Sequence, residues 1–195
     1  MRLNVKRKIW LSGLFLPVLA GCALMSTSYV EPAEYDLAVK ANPLSEVRFE
    51  VGSFRNLSGS DRRFLYREKG GRMISDDYNR WLLSPDLLLQ RQLQQTLSPE
   101  EVRSGGRNGM LARIGGAIYR FDFDSAARKA VLSVDYTVRI FSPDRKMVGS
   151  DSVTVTTEAE IQGNSPEAAA AAMSDCVEQS IARVRDLLLQ NKSEK

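Results

Sequence analysis

The chain has two cysteines, Cys22 and Cys176, and no histidine. Without imidazole, a thiolate is the strongest nucleophile it can offer, so the placing of these two sulfurs comes first. The lack of histidine excludes Ser-His-Asp and Cys-His catalysis and any His-containing zinc site. Carboxylates remain as acids or bases, and Asp76, Asp77, Asp122 and Asp124 are the pairs to weigh. Asp122 and Asp124 share one face of a strand near a hairpin end, where solvated acids are expected. No calcium-loop spacing is present. Gly70-Gly71 and Gly105-Gly106 lack the Lys-Ser/Thr of a phosphate loop and read as turns. Neither a catalytic constellation nor a metal site is expected.

The surroundings of Cys22 are more telling. Arg2, Lys6, Arg7 and Lys8 precede an apolar run from Ile9 to Leu19, with no acid among them. That is the charged region and short apolar core of a secretory signal, about half the length of a bilayer-spanning helix. Leu19-Ala20-Gly21-Cys22 then resembles the bacterial lipobox. In that motif diacylglycerol alkylates the thiol, the chain is cut before the Cys, and the new amine takes an acyl chain such as palmitate. Residues 1–21 are thus expected to be a lipoprotein signal, and the covalent lipid on Cys22 the only prosthetic group. Two or more chains hold a protein stably at a membrane, at about 0.8 kcal/mol per buried CH₂. Ala23, where enterobacterial lipoproteins retained at the inner membrane carry Asp, resembles the outer-membrane class.

Cleavage there leaves residues 22–195 with 23 of the 27 cations and all 24 acids, a net charge of about −1. That length suits one domain with one core. No basic field remains to attract nucleic acid. With Cys22 lipidated, Cys176 has no internal disulfide partner.

Residues 22–33, with Pro32 and no sustained period, read as a tether, and residues 34–195 as the domain. "EYDLAV" (34–39) is expected as a first strand. "VRFEV" (47–51) alternates as a half-buried strand, and "NLSGSD" (56–61) is a loop. "RFLYREKGGRMIS" (63–75) reads as two strands about Gly70-Gly71. Ser84 as N-cap, Pro85 and Asp86 open a helix whose Leu89, Leu93 and Leu97 face the core. Leu83 and Leu88 could staple its start.

The tripeptide Ser-Pro-acid recurs at Ser84, Ser98, Ser142 and Ser165. Context decides its fate: helix starts at Ser84 and Ser165, a hairpin loop at Ser142, at most one helical turn after Ser98. From Gly109 the pattern is β. Ala117, Tyr119, Phe121 and Phe123 are expected on one side of a strand, with a bulge or bend at Gly115-Gly116. Leu132, Val134, Tyr136, Val138 and Ile140 line the next, and Val153 to Ile161 the third, forming an antiparallel meander. Met173, Val177, Ile181, Val184 and Leu188 form the apolar stripe of a helix from Ser165 to about Gln190. The expected architecture is α+β: a largely antiparallel sheet of about four to six strands, with the two main helices packed on one face.

Cys176 falls on that apolar stripe and reads as a buried thiol. "YNRWLL" (78–83) carries Tyr78, Arg80 and Trp81, residue types enriched at binding hot spots. The alternative for Trp81 is an aromatic covering the core's edge.

"FLYREKGGRMISDDYNRWLLSPDLLLQRQLQQTL" resembles the ABC-type transport auxiliary lipoproteins, the group that includes the paraquat-inducible lipoprotein. Tyr66, Tyr78, Arg80-Trp81 and the Pro-led Leu-rich helix carry the likeness, and the lipobox, meander and last helix fit the same layout. It implies a non-enzymatic lipoprotein at the periplasmic face of the outer membrane. Its partners would be a periplasm-spanning mammalian-cell-entry-domain protein and an inner-membrane permease or ABC transporter, in lipid transport between the membranes. Tyr66, Tyr78, Arg80 and Trp81 become the expected partner-binding residues, with self-association also open. "EYDLAV" departs from the double-Tyr first strand common in that family. Other readings of the sequence are an envelope-assembly or envelope-synthesis lipoprotein and a small periplasmic lipid carrier.

Overall fold

The computed structural model describes residues 29–44, 48–98 and 111–193, with side chains through 190. The signal, Cys22 and the turn after Ser98 lie outside the described residues. The fold is built around β5 (Leu111–Asp124). Along one edge, β6 (Lys129–Phe141) pairs antiparallel with it, and β7 (Met147–Glu160) pairs antiparallel with β6. That is the meander expected from the alternation. The tight turn between β6 and β7 is closed by Arg145 N–H donating to Ser142 O at 2.9 Å.

The other edge of β5 corrects the expected topology. β2 (Arg48–Asn56) runs parallel to the first part of β5, and β3 (Arg63–Arg67) parallel to its end. β4 (Met73–Trp81) folds back antiparallel on β3, and β1 (Ala33–Tyr35) lies parallel to the end of β4. The sheet is therefore mixed and seven-stranded rather than largely antiparallel with four to six. Side-chain alternation fixes which face a strand buries and carries no information on the direction of its neighbour.

α1 (Pro85–Leu97) packs against β2, and α2 (Pro166–Ser193) against β6 and β7; the helices also touch each other. Leu89, Leu93 and Leu97 of α1, and Met173, Val177 and Val184 of α2, are fully buried, as their spacing requires. Ser165 caps α2 by accepting Ala168 N–H at 3.3 Å, whereas Ser84 makes no side-chain cap. Inside the interface, Tyr136 and Ser180 share a 2.7 Å hydroxyl hydrogen bond.

Of the expected first strand, 34–39, only Glu34 and Tyr35 pair in the sheet, as part of β1. Past Tyr35 the chain becomes a strap across both helices. Ala38 N–H donates to Ser174 Oγ on α2, while Gln92 Nε2 of α1 donates to Leu37 O, both at 3.1 Å. Asn42 and Leu44 N–H then bond the last carbonyls of α1, Thr96 O and Leu97 O. Those carbonyls are the ones a helix end leaves unpaired.

The bulge in β5 sits at Tyr119 rather than at Gly115-Gly116. Ile118 pairs with Val134 but Arg120 with Ser133, so Tyr119 is the extra residue. The phase of burial flips there. Ile114 and Ile118 face the helices before it and Phe121 and Phe123 after it, while Ala117 and Tyr119 point to the opposite face. Gly116 has a separate duty: a Cβ on it would stand 1.9 Å from Asp135 O.

Candidate functional site

Tyr66, Tyr78, Arg80 and Trp81 come from β3 and β4, the outer strands on the β1 side of the sheet. The hairpin turns at Gly70 and Gly71, whose φ values of 90° and 86° suit glycine. β4 then bulges strongly. Leu65 faces Ser75 but Arg63 faces Arg80, so two steps along β3 match five along β4. Asp76 braces the bulge by accepting Tyr78 N–H at 2.8 Å, Asn79 N–H at 3.1 Å and Asn79 Nδ2 at 2.8 Å.

The structure separates the four residues. Trp81 is 1 % exposed and stacks on Phe64 at 4.5 Å and edge-on to Phe121 at 5.2 Å. Its ring is core and offers no surface to a partner, which corrects its expected contact role. Tyr66 is half-buried, 5.3 Å from Phe123. Burial, with a smaller contribution from Asp76, raises its phenol pKa. Its ring helps line a cavity of about 260 Å³ that mixes polar Asp76, Asn79 and Arg128 with apolar Phe123 and Ile161. Tyr78 is 61 % exposed at the bulge. Arg80 shares Glu34 Oε1 with Arg62, each Nη2 at 2.9 Å, which ties β1 to the β3–β4 pair. Nearby, Asp61 accepts the N–H groups of Arg63 and Arg62, and these bonds hold its carboxyl at about 2. Of the four residues, Tyr78 alone presents a large free surface.

Asp122 is not the solvated acid expected from its place near a strand end. Between Phe121 and Phe123, which face the helices, it points to the other side of the sheet and has no exposed surface. Arg67 Nη2 reaches Oδ2 at 3.0 Å and Arg120 Nη2 reaches Oδ1 at 2.7 Å, with both Nε groups adding longer bonds. Burial alone would raise its pKa; the two guanidiniums outweigh that and hold the carboxyl below its ordinary value. Asp124 instead caps the β5–β6 turn through Ala126 and Ala127 N–H.

Cys176 is buried, with Sγ donating to Ala130 O at 3.4 Å. Burial pushes its thiol pKa up to about 12, so the group is inert near neutrality. Among the described residues there is no cluster of three or more metal-ligating Cys, Asp or Glu side chains. Nor is any described helix long and apolar enough to cross a membrane.

The face opposite the helices escaped sequence reasoning as a surface. Its residues are the polar half of each alternating strand: Arg113 on β5, Asp135, Thr137 and Arg139 on β6, and Glu50 and Arg55 on β2. No described helix covers it. The signal was present, since every second residue of these strands is polar, but alternation alone gives no curvature.

The family model for the ABC-type transport auxiliary lipoprotein component matches residues 60–184. That span runs from the start of β3 into α2. A crystal structure of a protein from Xanthomonas campestris superposes with a TM-score of 0.58 at 14 % identity, covering 84 % of this chain and 100 % of the other. A second, of an uncharacterized protein, gives 0.57 at 11 % identity over 81 % and 99 %. At those identities the likeness is one of fold. No curated protein sequence matches the chain.

Proposed function

Because the chain belongs to the ABC-type transport auxiliary lipoprotein family, we propose that it is a non-enzymatic adaptor, held by lipid on Cys22 at the periplasmic face of the outer membrane. There it docks a periplasm-spanning mammalian-cell-entry-domain protein, whose inner-membrane permease or ABC transporter drives lipid between the membranes. Membership of a lipoprotein family places the chain in the cell envelope.

The observation that carries this reading is the family match over β3 to α2, joined in one chain to the Leu19-Ala20-Gly21-Cys22 motif. The site chemistry agrees with an adaptor. The one described cysteine is buried with a raised pKa, and the buried acid Asp122 is neutralised by two arginines. The Tyr66 cavity, about 260 Å³, is small beside typical ligand pockets of about 300–1,000 Å³, so this cavity does not favour a lipid-carrier role. Tyr78, held outward by the Asp76 brace, is the proposed contact residue, with Arg80 positioned beside it by Glu34.

Crosslinking in native membranes followed by mass spectrometry tests the docking. The expected adduct joins this chain to a mammalian-cell-entry-domain protein, and Tyr78→Ala with Arg80→Ala weakens it. Adducts solely with envelope-synthesis or envelope-assembly proteins would replace this reading with the other lipoprotein role.

A further inference from the structure

We propose that the sheet face opposite the helices is a second docking surface, and that it takes an acidic segment of a partner protein. Two hollows of about 730 and 710 Å³ lie side by side there, both lined by Glu50 and Arg113. The first also holds Arg55 and Arg139, over a floor of Gly115, Gly116 and Thr137. The second holds Arg48 and Arg145 beside Phe141. Two bulges give the concavity: β2 shifts register between Val51 and Phe54, and β5 at Tyr119. A bulge bends and twists its strand.

The charge of this face is out of keeping with the chain. Five arginines meet two acids in the hollows, while residues 22–195 carry 23 cations and 24 acids. Both acids are engaged. Arg113 holds Glu50 at 2.9 Å, and Thr154 Oγ1 donates to Asp135 at 2.5 Å. Arg48, Arg55, Arg139 and Arg145 have no ion-pair partner among the described residues.

Arg113 and Arg139 are also directly opposed in the β5–β6 ladder. Like charges in that relation destabilise a sheet. Glu50 offsets part of this conflict through Arg113, and local conflicts of this kind are expected at functional or strained sites. Guanidinium forks suit carboxylates bidentately. A bilayer presents a flat surface, whereas a strand or loop bearing Asp and Glu can follow a concave sheet face. The surface does not depend on Cys22 being acylated or on which transport component supplies the acids.

The test places the photocrosslinker p-benzoylphenylalanine at Tyr119, a 46 % exposed residue lining the first hollow, in the full chain in its native cells. The adduct peptide is then sequenced. The proposal expects a protein peptide rich in Asp and Glu. Adduct yield should fall at least tenfold in Arg55→Glu/Arg139→Glu. It should hold in Arg183→Glu, a single charge reversal at an exposed α2 position on the other side of the sheet, and return when the partner's acids are changed to Lys. Should the double reversal fail to fold, Arg55→Gln/Arg139→Gln is read instead, with a loss of about threefold or more. An adduct with lipid, with a second copy of this chain or with a peptide poor in acids overturns the proposal. So does an absent adduct, or a yield indifferent to the reversals. An acidic adduct from outside any transport system would uphold this surface and count against the docking role of the preceding subsection.

Discussion

Arg120 donates to Asp122, two residues further along the same strand, at 2.7 Å, and the carboxylate it holds has no exposed surface. With Arg67 on the other side, this pair fastens β3 to β5 where they run parallel for only two residue pairs. Asp122→Ala leaves two guanidiniums facing each other and should cost about 3 kcal/mol, the low end for breaking a buried ion pair because both arginines are about one-third exposed. Urea unfolding at pH 7 measures it.

The same carboxylate fixes a pH dependence. Its folded pKa lies below 3.8. Its contribution is therefore fully present above the unfolded value and lost as the pH falls through the folded one. The stability gap between the protein and Asp122→Ala should stay level from pH 7 to about pH 5 and narrow below about pH 4. A gap that widens on acidification would mean that the carboxyl is protonated in the fold.

Trp81 and Tyr78 should part company in stability. Trp81→Ala removes the ring that joins Phe64 to Phe121 and should cost about 3–5 kcal/mol. Tyr78→Ala, at an exposed position, should stay within about 0.5 kcal/mol. Circular dichroism melts in urea check both. Partner binding lost in Trp81→Ala alone would then report a damaged fold rather than a lost contact.

In residues 22–195 carrying Cys22→Ser, Cys176 should resist iodoacetamide at pH 8 for as long as the fold persists. A thiol pushed up to about 12 is almost wholly protonated there, and the group is buried. Mass spectrometry should show alkylation tracking global unfolding with urea. Rapid modification in buffer would place the sulfur at the surface.

Much of this fold was legible because period and burial agree. β6 alternates cleanly from Leu132 to Ile140, and Leu132, Val134, Tyr136 and Val138 are all fully buried. The α2 stripe from Met173 to Leu188 behaves the same way. Legibility failed where backbone irregularity or distant partners decide the outcome. Tyr119 opens a clean alternation that runs to Asp124, and apolar Ile118 just before it breaks the period without saying which residue is the extra one. Asp122 looks like any acid near a turn, and the partner that completes its burial, Arg67, is 55 residues away. Trp81 carries the residue type of a hot spot and the neighbours of a core. The parallel pairing of β2 and β3 with β5 depends on where the chain crosses, which no strand records in its own sequence.

The most direct measurement is the intact mass of the protein extracted from its native membranes. The account predicts residues 22–195 with a diacylglycerol thioether and an amide-linked acyl chain on Cys22. An unmodified Cys22, or a chain that still carries residues 1–21, would contradict it.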